Sequence, residues 1–582
     1  MSPAARDPRE HGGNEDGERR AQLAEELTRP GAPFEIEHTV IDGVPLRSFV
    51  NAPRNLTEAF LMSRAHDEMT YVVFEQERYT FEEIRNGALA LAAEMRRRFG
   101  TGKGDRVAVA MRNYPEFVVS FWASVLLGAI FVPLNAWWTG AELSFAISDA
   151  GAEVVIADEE RQERLSTLQK PLTGVQLVGA RARSATDRSA ISFAELQGAH
   201  PDPSFEMAEL EPDDPVTILY TSGTTGTPKG ALGTGRATIA NIMNMGFGAA
   251  LEAAVSGRNA GPGVQVGSIA AAPLFHVGGI ASMVSGAMFG SKMVLMSKWD
   301  AAEGLALAES ERVTSLGGVP TIVRQIVDFP SLVDFDLSCV RTFAMGGASV
   351  PPDLPLRVFD LFGDRVQSFN GYGLTETTSA VVTNFGRDFL DHPDSVGRTN
   401  LTADLRVQDP DGNVLEPGLV GELCFRSPQV VRGYWNNATE TARSFVDGWF
   451  HSGDLGYVDG DGLVYVVDRL KDVVIRGGEN VYCAEVEAVL FEYPGVADVA
   501  VVGMPDDMMG ERVGAVVAMR EGSEIDLESL RAFALRRLAA FKCPETLHVL
   551  GELPKTATGK TAKNELRRSL FSERGATGRQ HR

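Results

Sequence analysis

Eleven consecutive residues, Tyr220-Thr221-Ser222-Gly223-Thr224-Thr225-Gly226-Thr227-Pro228-Lys229-Gly230, gather five Ser/Thr hydroxyls, three glycines and one lysine. Glycines let backbone N–H groups turn toward one point, hydroxyls add donors, and the ammonium adds positive charge, a combination suited to a polyphosphate. No Gly-Lys-Ser/Thr closes the stretch and no G-x-G-x-x-G runs through it, so it is neither a Walker loop nor a dinucleotide fingerprint. A flexible Ser/Thr-rich linker is the plain alternative. The preceding apolar run Val216-Thr217-Ile218-Leu219 predicts a strand that delivers the loop to a sheet edge, which speaks against a linker.

A second stretch is Asn370-Gly371-Tyr372-Gly373-Leu374-Thr375-Glu376-Thr377. Tyr372 offers a flat ring to stack on a base, and Gly371 and Gly373 permit close approach. Thr375 can donate to a phosphate oxygen, and Glu376 is a hard oxygen ligand suited to Mg2+. An exposed turn with a structural tyrosine is the other reading. His276, within Leu274-Phe275-His276-Val277-Gly278-Gly279, ends a predicted strand among glycines, where pockets form, although a lone histidine is as a rule a satisfied core residue. Asp454 by itself reads as a turn carboxylate, and Lys560 in Pro554-Lys555-Thr556-Ala557-Thr558-Gly559-Lys560 as a solvated charge.

The elements that must carry these residues alternate. Helical spacing over Phe81–Arg98 ends at Gly100, Val107–Met111 and Val154–Ile156 predict strands, and Arg236–Ala250 predicts a helix. Ser315–Thr321 and Thr342–Ala348 each predict a strand ending in glycines, including Gly346 and Gly347, the position at which open α/β sheets bind ligands. The fold class is α/β: a large N-terminal domain of mixed α/β sheets with a β-rich subdomain, followed by a small α+β C-terminal domain read as β-α-β-β-α. Gly278, Ser282 and Gly286 recur at intervals of four on the helix after His276, a face that suits either close helix packing or room for a ligand.

At 582 residues the chain exceeds one ordinary core. Predicted boundaries are an extension without structure at 1–30, a main domain at 31–468, a charged junction at 469–472, a small domain at 473–572 and a tail at 573–582. A net charge of −23 disfavours nonspecific nucleic-acid binding, which requires cations on phosphates. Cys339, Cys424, Cys483 and Cys543 form no C-x-x-C pair, which argues against disulfides and zinc and predicts a reducing cytoplasm. Phe117–Leu134 carries no charge for 18 residues, but Gly128 and Pro133 interrupt it, so it predicts a buried helix running into a strand rather than a membrane span.

Taken together, the two stretches and the Pro-Lys-Thr-x-x-Gly-Lys phrase resemble the motifs of the adenylate-forming superfamily, in its acyl-CoA synthetase branch, over roughly residues 50 to 570. The resemblance implies that a carboxylic acid is activated by ATP to acyl-AMP and passed to coenzyme A, with Mg2+ at Glu376. It implies nucleotide contacts from Thr221, Ser222, Gly223, Thr224, Thr225, Gly226, Gly347, Ala348, Asn370, Gly371, Tyr372, Asp454 and Arg469. Lys560, Thr375, Glu376 and Lys229 would be catalytic. His276, Val277, Gly278, Gly279 and Gly346 would border the acyl group, Lys471 would be the hinge of a mobile C-terminal lid, and Gly477, Gly478 and Glu479 would line the coenzyme A tunnel. The expected partners are a small carboxylic acid, ATP and coenzyme A, with no nucleic acid and no transmembrane segment, and with room for a homodimer.

The expected acid is a medium- or long-chain fatty acid, because Met243, Met245, Met283, Met288 and Met293 suit a pliable apolar channel, although methionines at such spacings are more often core. The alternatives are an aryl acid, or an adenylating enzyme that loads a separate carrier protein. Two positions depart from the family pattern: Gly235 follows Thr234 where histidine is common, and Cys483 stands where proline is common.

Overall fold

The computed structural model describes residues 15–168, 172–181, 191–198, 204–221, 228–257, 264–506, 508–555, 561–563 and 565–570. Its contacts divide the chain into two units, one running to Leu405 and including Phe425–Phe450, the other formed by Arg406–Cys424 and the chain from His451 onward. The division thus falls earlier than the charged junction at 469–472. One reason lies in the second unit's side chains: His451 Nδ1 is 2.9 Å from Glu422 and 3.5 Å from Cys424, which ties 406–424 to 451. Burial, helped by the Glu422 charge, pushes the Cys424 thiol up to about 12, so this sulfur is a neutral donor.

In the first unit, a seven-stranded sheet has the order Lys229–Thr234, Pro215–Thr221, Ile130–Pro133, Arg106–Ala110, Val154–Asp158, Gln176–Ala180, Ile191–Ser192. Every pairing is parallel except the hairpin at the first edge. The nine-stranded sheet runs from Arg398–Thr399 through Ser379–Phe385, Gln367–Leu374, Thr342–Gly346, Ser315–Gly318, Gly267–Ala270, Lys292–Leu295 and Thr70–Phe74 to Glu77–Thr80, parallel inside and antiparallel at both edges. Strand Val154–Asp158 is buried throughout, as strands covered by helices on both faces must be.

Local signals account for the helices. Phe81–Phe99 starts in a reciprocal Thr80/Glu83 capping box, buries Ile84, Ala88, Leu91 and Met95, and stops at Gly100 with φ 72. The uncharged segment folds as the helix Pro115–Leu127, stopped by Gly128, and the strand Ile130–Pro133; the helix packs in the main core, and the strand sends Phe131 there and Ile130 and Val132 into a second cluster. Among the described residues no helix is long and apolar enough to cross a membrane. The four cysteines are buried and unbridged.

Three expectations change. Residues 15–28 of the predicted extension form the helix Glu15–Thr28, which Arg20 anchors to the buried Glu252 at 3.1 Å; a charge with a buried partner makes a polar helix dock without an apolar run. Strand Gln367–Leu374 extends through the second chemical stretch, against its reading as an exposed turn, because Phe369 to Leu374 find antiparallel partners from Phe385 back to Ser379. Met243, Met283, Met288 and Met293 are packed in the main hydrophobic core, which is what volume-filling methionines do, and so they do not argue for a channel.

The second unit holds a sheet ordered Glu479–Val481, Val474–Arg476, Gly510–Met519, Val496–Asp506, with Thr546–Leu550 paired parallel to Gly510–Met519. Helices Cys483–Phe491 and Leu527–Ala534 bury Val486, Leu490, Leu530 and Ala534 in its core. Cys483 occupies the first helical position, where proline is tolerated, and its thiol donates to the Asp472 carbonyl at 3.0 Å. The strands Glu479–Val481 and Thr546–Leu550 were not expected from the sequence; short or half-exposed runs carry little periodic signal.

A Cβ on Gly373 would lie 1.9 Å from the Ser379 carbonyl oxygen, whereas one on Gly278 meets nothing within 4 Å. Gly373→Ala is therefore expected to lower stability by about 2–4 kcal/mol, read as a drop in the urea midpoint, while Gly278→Ala stays within about 0.5 kcal/mol of the parent.

Candidate active site

Thr221 and Lys229 face each other across the edge hairpin, and the Thr221 hydroxyl donates to the Lys229 carbonyl at 3.4 Å. The hydroxyl-rich loop therefore leaves and re-enters the sheet at neighbouring positions. Ser222, Gly223, Thr224, Thr225 and Gly226 lie outside the described residues, as does Lys560. The foot of the loop is closely packed: the Tyr220 phenol donates to Asp149 at 2.6 Å, and the Trp435 indole donates to the Asp149 carbonyl at 3.0 Å. Gly230 has no room for a side chain, since a Cβ there would stand 2.6 Å from Ile218.

Lys229 reaches across this foot. Its ammonium is 2.6 Å from Glu440 and 5.5 Å from the centre of the Tyr434 ring. The Tyr434 hydroxyl in turn donates to Glu376 Oε1 at 2.8 Å. Burial, with the Glu376 charge added, pushes the Tyr434 phenol far above its ordinary range, so it remains a proton donor. Lys229 and Glu376, read separately from two distant motifs, are brought together by one aromatic side chain.

Glu376 sits on a single tight turn, Thr375–Thr377, at the end of strand Gln367–Leu374. The turn is followed by Thr378 and Ser379 with φ of 48 and 79, a left-handed backbone that non-glycine residues resist. Buried amides hold it. Gln429 donates to the carbonyls of Thr377 and Ala380 at 2.8 and 2.9 Å, and Asn241 and Asn400 reach the same Ala380 carbonyl at 2.9 and 2.8 Å. The Thr377 hydroxyl accepts the Leu374 N–H at 2.9 Å. A nearly buried carboxylate with one oxygen tied to a neutral donor fits a divalent cation that shares its charge with phosphates.

Asn370, Gly371 and Tyr372 lie on the same strand, with Gly371 opposite Gly346 on Thr342–Gly346. A Cβ on Gly346 would be 2.9 Å from the Gly371 carbonyl oxygen. Gly347 follows with φ 76, and it and Ala348 are exposed beyond the strand end. His276 stands at the position before helix Val277–Phe289 rather than ending a strand, and its side chain makes no capping hydrogen bond there. Its ring lies 4.4 Å from that of Phe275, which meets the half-exposed Trp137 edge-on at 5.5 Å. The small-residue face of this helix divides: Gly286 accommodates the Tyr71 ring, leaving 2.5 Å for a Cβ, whereas Gly278 borders open space.

In the second unit, Asp454 and Arg469 are cross-strand partners in the hairpin of Trp449–Val458 and Val464–Arg469, with Nε 2.8 Å from Oδ1. Lys471 is exposed two residues later. Gly477 and Gly478, with φ of 60 and 88, make a two-residue turn between Arg476 and Glu479, which face each other. Reasoning from the sequence did not assign Tyr434, Glu440, Gln429 or Asn241 to the site. Tyr434 is 58 positions from Glu376, and an isolated Gly-Tyr-Trp triplet has no spacing that announces such a partner.

Comparison with known proteins shows the family of the chain. The AMP-binding enzyme family matches residues 62–435, and the AMP-binding enzyme C-terminal domain matches residues 485–560. A feruloyl-CoA synthase of Amycolatopsis sp is 37% identical over 83% of this chain and 95% of its own. A long-chain-fatty-acid–CoA ligase of Bacillus subtilis is 32% identical over 87% and 92%. The o-succinylbenzoate CoA synthetase of Bacillus subtilis, solved with its acyl-adenylate intermediate, superposes with a TM-score of 0.75 at 27% identity, covering 88% of this chain and 98% of its own. The chain belongs to the AMP-binding enzyme family, that is, to the adenylate-forming superfamily in its acyl-CoA synthetase branch.

Proposed function

We propose that this acid–thiol ligase joins an aromatic carboxylic acid to coenzyme A by way of acyl-AMP. In the first half-reaction a carboxylate oxygen attacks the α-phosphorus of ATP and pyrophosphate leaves, giving a mixed anhydride. In the second, the coenzyme A thiol attacks the acyl carbon and AMP leaves. Two anions must approach each other in the first step, so positive charge is the main requirement.

The observation that supports this reading is the cluster of Lys229, Tyr434 and Glu376 at the foot of the hydroxyl-rich loop. Lys229 exchanges the Glu440 carboxylate for phosphate oxygens, and the Thr221 hydroxyl and the loop hydroxyls add donors. Mg2+ held by Glu376 would neutralise phosphate charge, and Tyr434 keeps that carboxylate oriented. Asp454 offers two acceptor oxygens to the ribose hydroxyls, with Arg469 beside it. Lys560 supplies the second cation of adenylation. Lys471 is the hinge about which residues 473–572 turn, and the Gly477-Gly478-Glu479 hairpin then lines the thiol path.

For the acid itself, the half-exposed Trp137 packs edge-on against the buried Phe275, whose neighbour His276 precedes the helix that carries the open Gly278, and an exposed aromatic face favours a flat ring. The feruloyl-CoA synthase relative supports the same choice. A fatty acid is the second reading, supported by the fatty-acid ligase relative.

Three outcomes are expected. Lys560→Ala slows pyrophosphate release by about 10²-fold or more and spares thioester formation from supplied acyl-adenylate; equal loss in both assays refutes the assigned role. Tyr434→Phe raises the Mg2+ concentration for half-maximal adenylation by about 10-fold, and an unchanged Mg2+ titration removes Tyr434 from the site. Profiling coenzyme A-dependent AMP release over ferulate, benzoate and fatty acids of graded length gives the highest kcat/KM for an aromatic acid. A maximum at long alkyl chains replaces this reading with the fatty-acid one, and a preference for short polar acids defeats both.

A further inference from the structure

The residues that flank 556–560 form a closed frame in the second unit. Lys555 and Thr561 form a bridge, the Ala562 N–H donates to the Pro554 carbonyl at 2.8 Å, and the Lys555 ammonium donates to the Thr561 hydroxyl at 3.0 Å. Both sides of this frame are then fastened to one strand, Val496–Asp506. On the entering side, Lys555 forms an ion pair with Asp498. On the leaving side, Lys563 lies 2.7 Å from Glu487, whose Oε1 also accepts the Val501 N–H at 2.6 Å. Asp498 and Val501 are three positions apart on that strand.

We propose that Lys563 and Glu487 are positioning residues for adenylation, anchoring the chain that follows Lys560. The inference rests on the reading that Lys560 serves the first half-reaction. Lys563 follows Lys560 by three residues of sequence, so a largely buried ion pair anchors the chain close behind it. Burial alone works against the Lys563 charge, but the facing Glu487 carboxylate more than offsets it, and the ammonium is held above its ordinary range. Asp468, close to the charged junction, adds to the negative surroundings of Lys563. Lys555 is two-thirds buried with a partner of similar exposure, whereas Lys563 and Glu487 are shielded further, at 18% and 22% exposure, so the leaving side is the firmer anchor.

A displaced ammonium costs rate in the one step it serves, because a misplacement of about 1 Å can cost 10²-fold. A merely structural pair would weaken every activity of the protein in proportion to the fraction unfolded. The two are separated by assaying each half-reaction of the intact enzyme: pyrophosphate release from ATP with ferulate, and thioester formation from supplied feruloyl-adenylate and coenzyme A. If the acid profile selects an alkyl acid, dodecanoate and its adenylate take their place.

Lys563→Met and Glu487→Gln are each expected to lower kcat for pyrophosphate release about 10-fold or more, leave KM for ATP within about twofold, and leave thioester formation within about twofold. Lys563→Arg restores most of the first activity. Equal reduction of both half-reactions, or no reduction of either, overturns the proposal. Should Lys563→Met fail to fold, Glu487→Gln, which keeps the side-chain volume, decides by the same criterion. Lys560→Ala run in parallel separates the two ideas: if it spares thioester formation while the Lys563 and Glu487 variants do not, the positioning role fails alone, and if it harms both half-reactions equally, the underlying reading of Lys560 fails.

Discussion

The hydroxyl of Tyr434 donating to Glu376, with the Lys229 ammonium over the same ring, is the contact on which the candidate site of the first unit depends. It joins the foot of the hydroxyl-rich loop to the carboxylate of the second motif, and it works only because the phenol is neutral. Burial and the adjacent charge secure that neutrality, since an ionised tyrosine facing Glu376 would be repelled from it. The strand pairing that places Tyr434 is equally specific: Ala231 bridges to Tyr434, and the Trp435 N–H donates to the Gly230 carbonyl at 2.7 Å.

Electrostatics elsewhere follows one pattern. In a chain of net charge −23, two basic side chains expected at the site, Lys229 and Arg469, are each placed by a carboxylate, Glu440 and Asp454. Such pairs keep the long side chains ordered, and a phosphate, carrying more charge than a carboxylate, can compete for the cation. Lys563 differs in that its partner is reinforced by a backbone hydrogen bond, which suits a fixed anchor rather than an exchangeable contact.

Backbone geometry supplies the other constraint. Gly346 and Gly373 face neighbouring carbonyl oxygens at distances no side chain tolerates, and Thr378 and Ser379 hold a left-handed turn that the amides of Asn241, Asn400 and Gln429 brace. Those three amides come from segments far apart in the chain. Nothing in their local sequence distinguishes them from ordinary surface polar residues, and their role follows from burial around one carbonyl.

Much was legible in the sequence because it is local chemistry. Hydroxyls and glycines gathered in one stretch, a carboxylate after a glycine-flanked tyrosine, and glycine stops after Phe81–Phe99 and Pro115–Leu127 each act within a few residues of themselves, so spacing alone reveals them. The tertiary structure decided what depends on partners distant in sequence: that Tyr434 joins Lys229 to Glu376, that an N-terminal polar helix docks on Glu252, that the methionines fill core, and that Lys563 is held by Glu487. The physical reason is that a side chain's protonation, orientation and role are set by what surrounds it in space, and no periodicity along a chain encodes a neighbour 58 or 232 residues away.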